Sequence, residues 1–393
     1  MEARLVRIYL DHNATCPPGP EVIGAVHRAL AETFGNPSSI HAYGQLAKAA
    51  LDQARGSVAR LIGAEPPDVV FTSGGTESDN MALRGAAAAL EASGRRHILT
   101  TGIEHEAVLA TCRTLARQGW LLTEIPAGSD GIVRPEQLAR MLTPETAIVS
   151  VMHANNEVGT VQPIAELAEL ARAAGALFHT DAVQSVGKIP VSVRALGVDL
   201  LSLSGHKFGG PKGTGALWIR RGVRLQATAT GGRQERNRRA GTEDVPGLVG
   251  LGVAADLAKT RLEQYARHVG TLRDRLEQEI LAAVSGSIVN GAVEDRVPNT
   301  SSISFEGIEA ESLLIALDLE GIAVSTGSAC SSGSLEPSHV IRAMGLPDAR
   351  ARNSIRFSLG SGTTAADVDA VVSVLPGLVT KLRRLGRTAA ALR

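Results

Sequence analysis

Cysteine is scarce: Cys16, Cys112 and Cys330 are all that a chain of 393 residues carries. Three thiols with no C-x-x-C pair cannot build a disulfide framework or a structural zinc site. That places the chain in a reducing, cytoplasmic setting and predicts no metal. Net charge is also lacking, since 40 basic residues balance 40 acidic ones. A nucleic-acid binder that relies on bulk positive charge is excluded, leaving only local basic patches. No apolar run approaches the ~18 residues of a membrane-spanning helix. The first residues, Met1-Glu-Ala-Arg-Leu-Val-Arg7, have no apolar core of the kind a secretory signal needs. What is there is 44% hydrophobic and 20% charged, which excludes disorder. The length corresponds to roughly two to three domains and a sizeable core.

Short apolar runs alternate with longer amphipathic stretches. Asp68–Thr72, His97–Thr101, Thr146–Met152, Leu177–Asp181, Leu200–Leu203 and Gly215–Arg220 read as strands. Glu77–Ala92, Glu106–Gln118 and Ile164–Ala174 read as helices between them. This alternation predicts an α/β fold with a mostly parallel sheet covered by helices. No repeat of fixed length appears, so a solenoid is not expected. Near Gly241 the pattern changes to one long helix, Val245–Leu281. Strands at Ser301–Phe305, Ile322–Val324 and Ser354–Ser358 follow, with helices Glu311–Leu319 and His339–Ala343 among them. The expected division is a large domain over 16–260 and a smaller α/β domain over 261–393.

Several segments carry chemistry. In Phe71-Thr-Ser-Gly-Gly-Thr-Glu77 a strand ends, two glycines follow and a helix begins. Free N–H groups and the helix dipole make this an anion site suited to phosphate, although an ordinary helix cap accounts for it equally well. It is neither a Walker A loop nor a dinucleotide fingerprint. Lysine is rare, with six in all, and Lys207 and Lys212 fall in one glycine-rich segment after an apolar strand. Lys207 is placed for a Schiff base, against the alternative of a solvated loop lysine; Lys212 reads as solvated. Asp181 ends an apolar strand, where open α/β sheets bind ligands; it could hold a protonated pyridine nitrogen or simply cap a helix. His105 and His153 also stand at strand ends, where each taken singly reads as structural. Cys330 lies in Ser325-Thr-Gly-Ser-Ala-Cys-Ser-Ser-Gly-Ser334, a small, polar stretch expected to form a mobile surface loop. A thiol there reads as a nucleophile or carrier, because free cysteine is normally buried. Cys112 reads as core, and Cys16, before Pro17-Pro18, stays ambiguous. Arg356, inside an alternating strand, offers a bidentate grip on a carboxylate or is simply exposed.

Taken together, the chain resembles the cysteine desulfurases of the long-loop NifS/IscS-like group, class V aminotransferase relatives with the aspartate-aminotransferase fold (fold type I). The resemblance runs over essentially the whole chain. It rests on TSGGTESDN (72–80), EHEAVL (104–109), MHANNEVGT (152–160), TDAVQSVGK (180–188), SGHKFGGPKG (204–213), RRAGTED (238–244), STGSACSSGSLEPSHV (325–340) and SIRFSLG (354–360). It implies pyridoxal 5'-phosphate in Schiff-base linkage to Lys207, with His105 stacked on the ring and able to shuttle protons. It further implies Asp181 on the ring nitrogen, Gln184 on the ring hydroxyl, and Gly75, Thr76, Ser204 and His206 on the phosphate. Thr242 would complete the phosphate site of a partner subunit, so a homodimer is implied. Asn155 and Arg356 would hold the carboxylate of L-cysteine, and Cys330 would accept its sulfur as a persulfide, leaving L-alanine. A sulfur-acceptor protein for iron–sulfur cluster assembly or thiolation would follow, with no direct role for nucleic acid or membrane. Residues 1–15 would rejoin the small domain. Two departures stand out: Cys16 where threonine is usual, and Gly75 where alanine is also common, a change expected to matter little. Selenocysteine lyase and class V aminotransferase activities are the nearest alternatives, and a non-catalytic scaffold is the most remote.

Overall fold

The structure is a computed structural model and describes residues 7–327 and 337–391. Its strands are β1 (Ile8–Tyr9), β2 (Val69–Thr72), β3 (His97–Thr101), β4 (Leu121–Ile125), β5 (Thr146–Ser150), β6 (Leu177–Asp181), β7 (Leu200–Ser204), β8 (Gly215–Ile219), β9 (Ser287–Asn290), β10 (Thr300–Phe305), β11 (Ile322–Ala323) and β12 (Ser354–Ser358). Seven of them form one sheet in the order β2-β8-β7-β6-β5-β3-β4. Only β8 runs against its neighbours. β2, β3, β5, β7 and β8 are buried along their whole length. Their continuous apolar character follows from helices packed on both faces of a parallel sheet. Helix Gly75–Leu90 lies on one face through Met81, Ala82 and Ala86, and alanine lets its axis sit close to the strands. Val149, Phe178, Leu201 and Leu203 point into the other core with Leu167, Leu248 and Leu251.

A second core gathers around the sheet β12-β10-β9, with Ile303, Phe305, Ile355, Phe357, Leu313 and Val371. Leu10 belongs to this core, and β1 pairs in parallel with β11, so the N-terminal strand lies with the C-terminal part of the chain. Helix Val245–Ala283 joins the two cores. Its start, capped by Asp244 through a bond from Gly247 N at 3.1 Å, packs Leu248 and Leu251 into the large core. Its second half puts Val269, Leu272, Leu276 and Ile280 into the small one. The expected division at 260 therefore falls inside one continuous helix. Among the described residues no helix is long and apolar enough to cross a membrane.

Candidate active site at the carboxyl edge of the large sheet

β2, β7, β6, β5 and β3 all point the same way, because β8 is antiparallel to both β2 and β7. Their carboxyl ends therefore open on one edge. The chemistry-bearing segments leave from those ends: Gly74–Thr76, Ser204–Lys207, Asp181–Gln184, His153–Asn156 and His105.

Gly74, at φ 153°, turns the chain from β2 into helix Gly75–Leu90, whose first N–H groups have no intrahelical partner. A Cβ on Gly75 would lie 2.7 Å from Val183 Cγ2 and 3.6 Å from Ser204 Cβ, and one on Gly74 would be 3.6 Å from Ser204 Oγ. The cradle is thus roofed by β7 and the loop after β6, with Thr76 exposed in the first turn. Alanine at 75 is not the neutral exchange expected from the sequence; Val183 would have to move. His206 is bonded through Nδ1 to Thr15 Oγ1 at 3.1 Å, and burial with the nearby Lys207 charge pulls its pKa down to about 4.

Asp181 is buried at the end of β6. Its Oδ1 accepts from Val183 N at 2.8 Å, which leaves Oδ2 for another donor. Burial and the like charge of Asp79 push its pKa up to about 7. Such a carboxyl needs a proton or a cation against it. Asp79, also buried, reaches His179 Nε2 at 3.5 Å, and His179 is held by Ser150 and Ser202. His105 caps helix Glu106–Arg117, its Nδ1 accepting from Ala107 N at 3.1 Å. That bond assigns the proton of the neutral ring to Nε2 and fixes the ring's orientation.

Lys207 closes a short turn after β7, and its Nζ donates to Asn13 O at 2.7 Å and Ala14 O at 2.9 Å. The carbonyl of Asn13 also accepts from Gln184 Nε2 at 3.0 Å. Beneath them lies Lys188, only 1% exposed, donating to Gln184 Oε1 at 2.6 Å and Asn13 Oδ1 at 2.8 Å. No carboxylate pairs with Lys188 among the described residues, and burial pulls its pKa down to about 7. The sequence reading assigned nothing to Asn13 and nothing to Lys188. The signal available was a lysine only four residues beyond Gln184 in a chain that uses few lysines.

The substrate side differs from expectation. Asn155 is fully buried, and its amide serves the backbone: Nδ2 donates to Ile103 O at 2.9 Å, and Oδ1 accepts from Glu157 N and Val158 N at 2.8 and 3.0 Å. It has little left for a ligand. Asn156 beside it has a buried Oδ1 with no partner, and its carbonyl accepts from Arg356 Nη1 at 2.8 Å. Arg356 is held by Asp11 at 2.7 Å, and its buried Nε is unpartnered. Asn155 is thus committed to the backbone, and the unpartnered amide atom beside it belongs to Asn156.

Thr242 is exposed on the loop before the long helix. Arg239, three residues earlier, pairs with Glu77 at 2.9 Å, and Glu77 accepts from Ser73 N at 2.7 Å at the lip of the cradle. The same loop is anchored further back by Glu235, which takes both Arg55 amino groups at 2.7 Å and Phe71 N at 2.9 Å. Cys330 lies outside the described residues. Cys16 donates its thiol to Lys207 O at 3.2 Å and His12 O at 3.4 Å, and burial pushes its pKa up. It is an inert, protonated thiol in this setting. Cys112 is fully buried among Val108, Leu115 and Ile98.

The profile of the aminotransferase class-V family matches residues 8–371. The chain belongs to that family. A cysteine desulfurase of Cereibacter sphaeroides is 53% identical over 381 residues, which cover 96% of this chain and 97% of that protein. One from Nostoc sp. is 50% identical over 378 residues, or 96% and 94%. Among solved structures, a NifS-like protein superposes with a TM-score of 0.90 at 37% identity, covering 96% of this chain and all of that one. SspA, solved in complex with cysteine, gives 0.79 at 34% identity, covering 91% and 100%. The α/β architecture of this class-V aminotransferase, a mostly parallel large sheet beside a smaller α/β unit, is that of the fold-type I enzymes. Its edge suits pyridoxal phosphate. A glycine cradle at a helix start, a buried strand-end carboxyl whose pKa burial and Asp79 raise, and a lysine whose charge reaches that carboxyl share this edge.

Proposed function

We propose that this protein is a cysteine desulfurase, taking sulfur from L-cysteine, releasing L-alanine and holding the sulfur on Cys330 for an acceptor protein. The observation that carries this reading is the convergence of Lys207, Asp181, His105 and the Gly74–Gly75 cradle on one sheet edge in a chain about half identical to named cysteine desulfurases. Bound there, pyridoxal phosphate supplies an electron sink beside the substrate's α-carbon.

The chain's own residues do the rest. Gly75, Thr76, Ser204 and His206 take the phosphate, through free N–H groups and hydroxyls. Asp181 keeps a proton on the ring nitrogen and is relieved of its own burial cost by doing so. Gln184 donates to the ring hydroxyl. Lys207 anchors the cofactor and, once released, carries the α-proton; His105 shuttles protons on the ring face. Arg356, oriented by Asp11, grips the substrate carboxylate together with the Asn156 amide. Cys330 thiolate then attacks the substrate sulfur. An S–S bond forms as the substrate Cβ–S bond breaks, and the electron pair stays with carbon and is protonated to give the methyl group of alanine.

The acceptor belongs to iron–sulfur assembly or thiolation, and the reaction takes place in the cytoplasm, where thiols stay reduced. The working unit is a homodimer in which Thr242 completes the neighbour's phosphate site. Phe34 (67% exposed), Ile40 (93%), Tyr43 and Leu46 form an apolar patch of the kind a second copy covers. Ile40 and Ser38 share a cavity with Arg233–Arg236, on the loop that leads to Thr242.

The test is an absorption spectrum of the reconstituted protein followed by L-cysteine with a reductant. A near-visible cofactor band with equal sulfide and alanine is expected. Cys330→Ser should keep the band and lose the persulfide; persulfide formed at normal levels in that variant would end the assignment.

A further inference from the structure

A lysine ammonium buried without a carboxylate is costly, and the cost needs a reason. Lys188 is such a group, and its titratable neighbours are Cys16, Lys207, Arg356, His12 and His206, none of them a carboxylate. Its partners are neutral oxygens, Gln184 Oε1 and Asn13 Oδ1. Both partners belong to the site. Gln184 also donates Nε2 to Asn13 O, and that same carbonyl holds the ammonium of Lys207. The Asn13 amide is fixed at its other end, where Nδ2 donates to Thr300 Oγ1 at 2.8 Å, and Asn299 Nδ2 donates to the same Oδ1 as Lys188 at 3.0 Å.

An amide turned by 180° exchanges donor for acceptor with almost no change of shape. Lys188 and the Asn13 carbonyl together remove that freedom. With an ammonium on Oε1 and one N–H of Nε2 on Asn13 O, the donor Gln184 has left is its second N–H. We propose that Lys188 is a positioning residue: its ammonium locks the amide of Gln184 so that an N–H, and not a carbonyl oxygen, faces the ring hydroxyl of the cofactor. The proposal rests on the cofactor reading above. Lys188 touches neither cofactor nor substrate; it acts through Gln184 and, by way of Asn13, steadies the carbonyl on which Lys207 rests.

A donor at the ring oxygen withdraws electron density and lowers the proton affinity of the bound cofactor's chromophore. The experiment is a pH titration of the near-visible band in the reconstituted full chain, with melting curves beside it. Lys188→Met should raise the titration midpoint by about one pH unit. In a Gln184→Ala background the same substitution should move it by less than about a third as much, because the group through which it acts is gone. Equal shifts in the two backgrounds would overturn the proposal, making Lys188 a bare charge. A lowered melting temperature with an unmoved midpoint would overturn it as well, since that is what a purely structural lysine gives. If Lys188→Met does not fold, Lys188→Gln keeps a donor and loses the charge. Its shift should be under about half that of Gln184→Ala, and a shift as large as that would refute positioning. Absence of any band in the wild type would overturn the cofactor reading and this proposal with it. A normal wild-type band beside an unaltered Lys188→Met overturns the proposal alone.

Discussion

Two buried charged clusters in this molecule are built on opposite plans. Glu235 and Arg55 match each other fully: both carboxylate oxygens take Arg55, one also takes Phe71 N, and the guanidinium lies 4.4 Å over the Phe71 ring. The pairing holds down a stretch, Glu235–Asn237, with three successive non-glycine residues at positive φ, a strained backbone that persists only when fixed from outside. At the sheet edge, like groups are instead buried side by side: Asp181 near Asp79, Lys188 near Lys207. A matched cluster is finished when the chain folds. The crowded one keeps groups in reserve, and under the proposed function Asp181 and Lys207 meet a ring nitrogen and an aldehyde from outside while Lys188 stays with Gln184 and Asn13.

The largest effect is expected where the outside partner attaches. Lys207→Ala should remove the near-visible band and lower turnover by on the order of 10³-fold or more, measured as sulfide release. Retention of the band would move the attachment to another amine. Next comes the matched cluster. Glu235→Ala leaves the Arg55 charge buried and alone, at about 3–5 kcal/mol, so the melting midpoint should fall by several degrees. Arg55→Met with Glu235→Leu should recover most of that loss, and a failure to recover would mean the charges do more than hold the loop.

Asp181→Asn should do the reverse to stability. In the cofactor-free chain its pKa stands at about 7 against an ordinary 3.8. The stability tied to its proton is complete below about pH 4 and lost as pH rises through 7. The cofactor-free variant should therefore melt above the wild type at pH 8, with the gap narrowing toward pH 5, while binding cofactor more weakly. Equal melting at pH 8 would show that Asp181 carries no such burden. The smallest effect is Gly75→Ala, where the new methyl meets Val183 Cγ2 at 2.7 Å. About 1 kcal/mol of strain is expected, and a few-fold weaker cofactor binding, measured by equilibrium titration.

Much of the edge was legible because parallel strands advertise their ends. Asp181, Ser204 and Lys207 each come at or just after a short, largely apolar strand, and His105 follows another, so the place where chemistry should gather could be read directly. Asn155 and Asn156 show where such reading stops. Adjacent identical side chains leave the strand end in different directions, and only the backbone conformation decides which one serves the chain and which keeps an unpartnered atom. Lys188 and Asn13 were invisible for a related reason. Their meaning lies in contacts across 175 residues of sequence, and no local pattern marks a lysine as buried. Edge strand β4 escaped as well: Leu121 is 60% exposed, so the segment lacks the apolar run that marked the inner strands. The division at 260 falls inside one 39-residue helix, ~58 Å long, that satisfies two cores in turn, and periodicity within a helix does not announce a change of neighbour.

The N-terminal segment has a consequence for how Lys207 is held. β1 pairs with β11, and Asn13 is tied to Asn299 and Thr300, partners more than 280 residues away in sequence. The carbonyl that seats Lys207 is therefore fixed by the smaller core as well as by the large sheet. Loosening the β1–β11 pairing should disturb Lys207 without touching the strand that carries it.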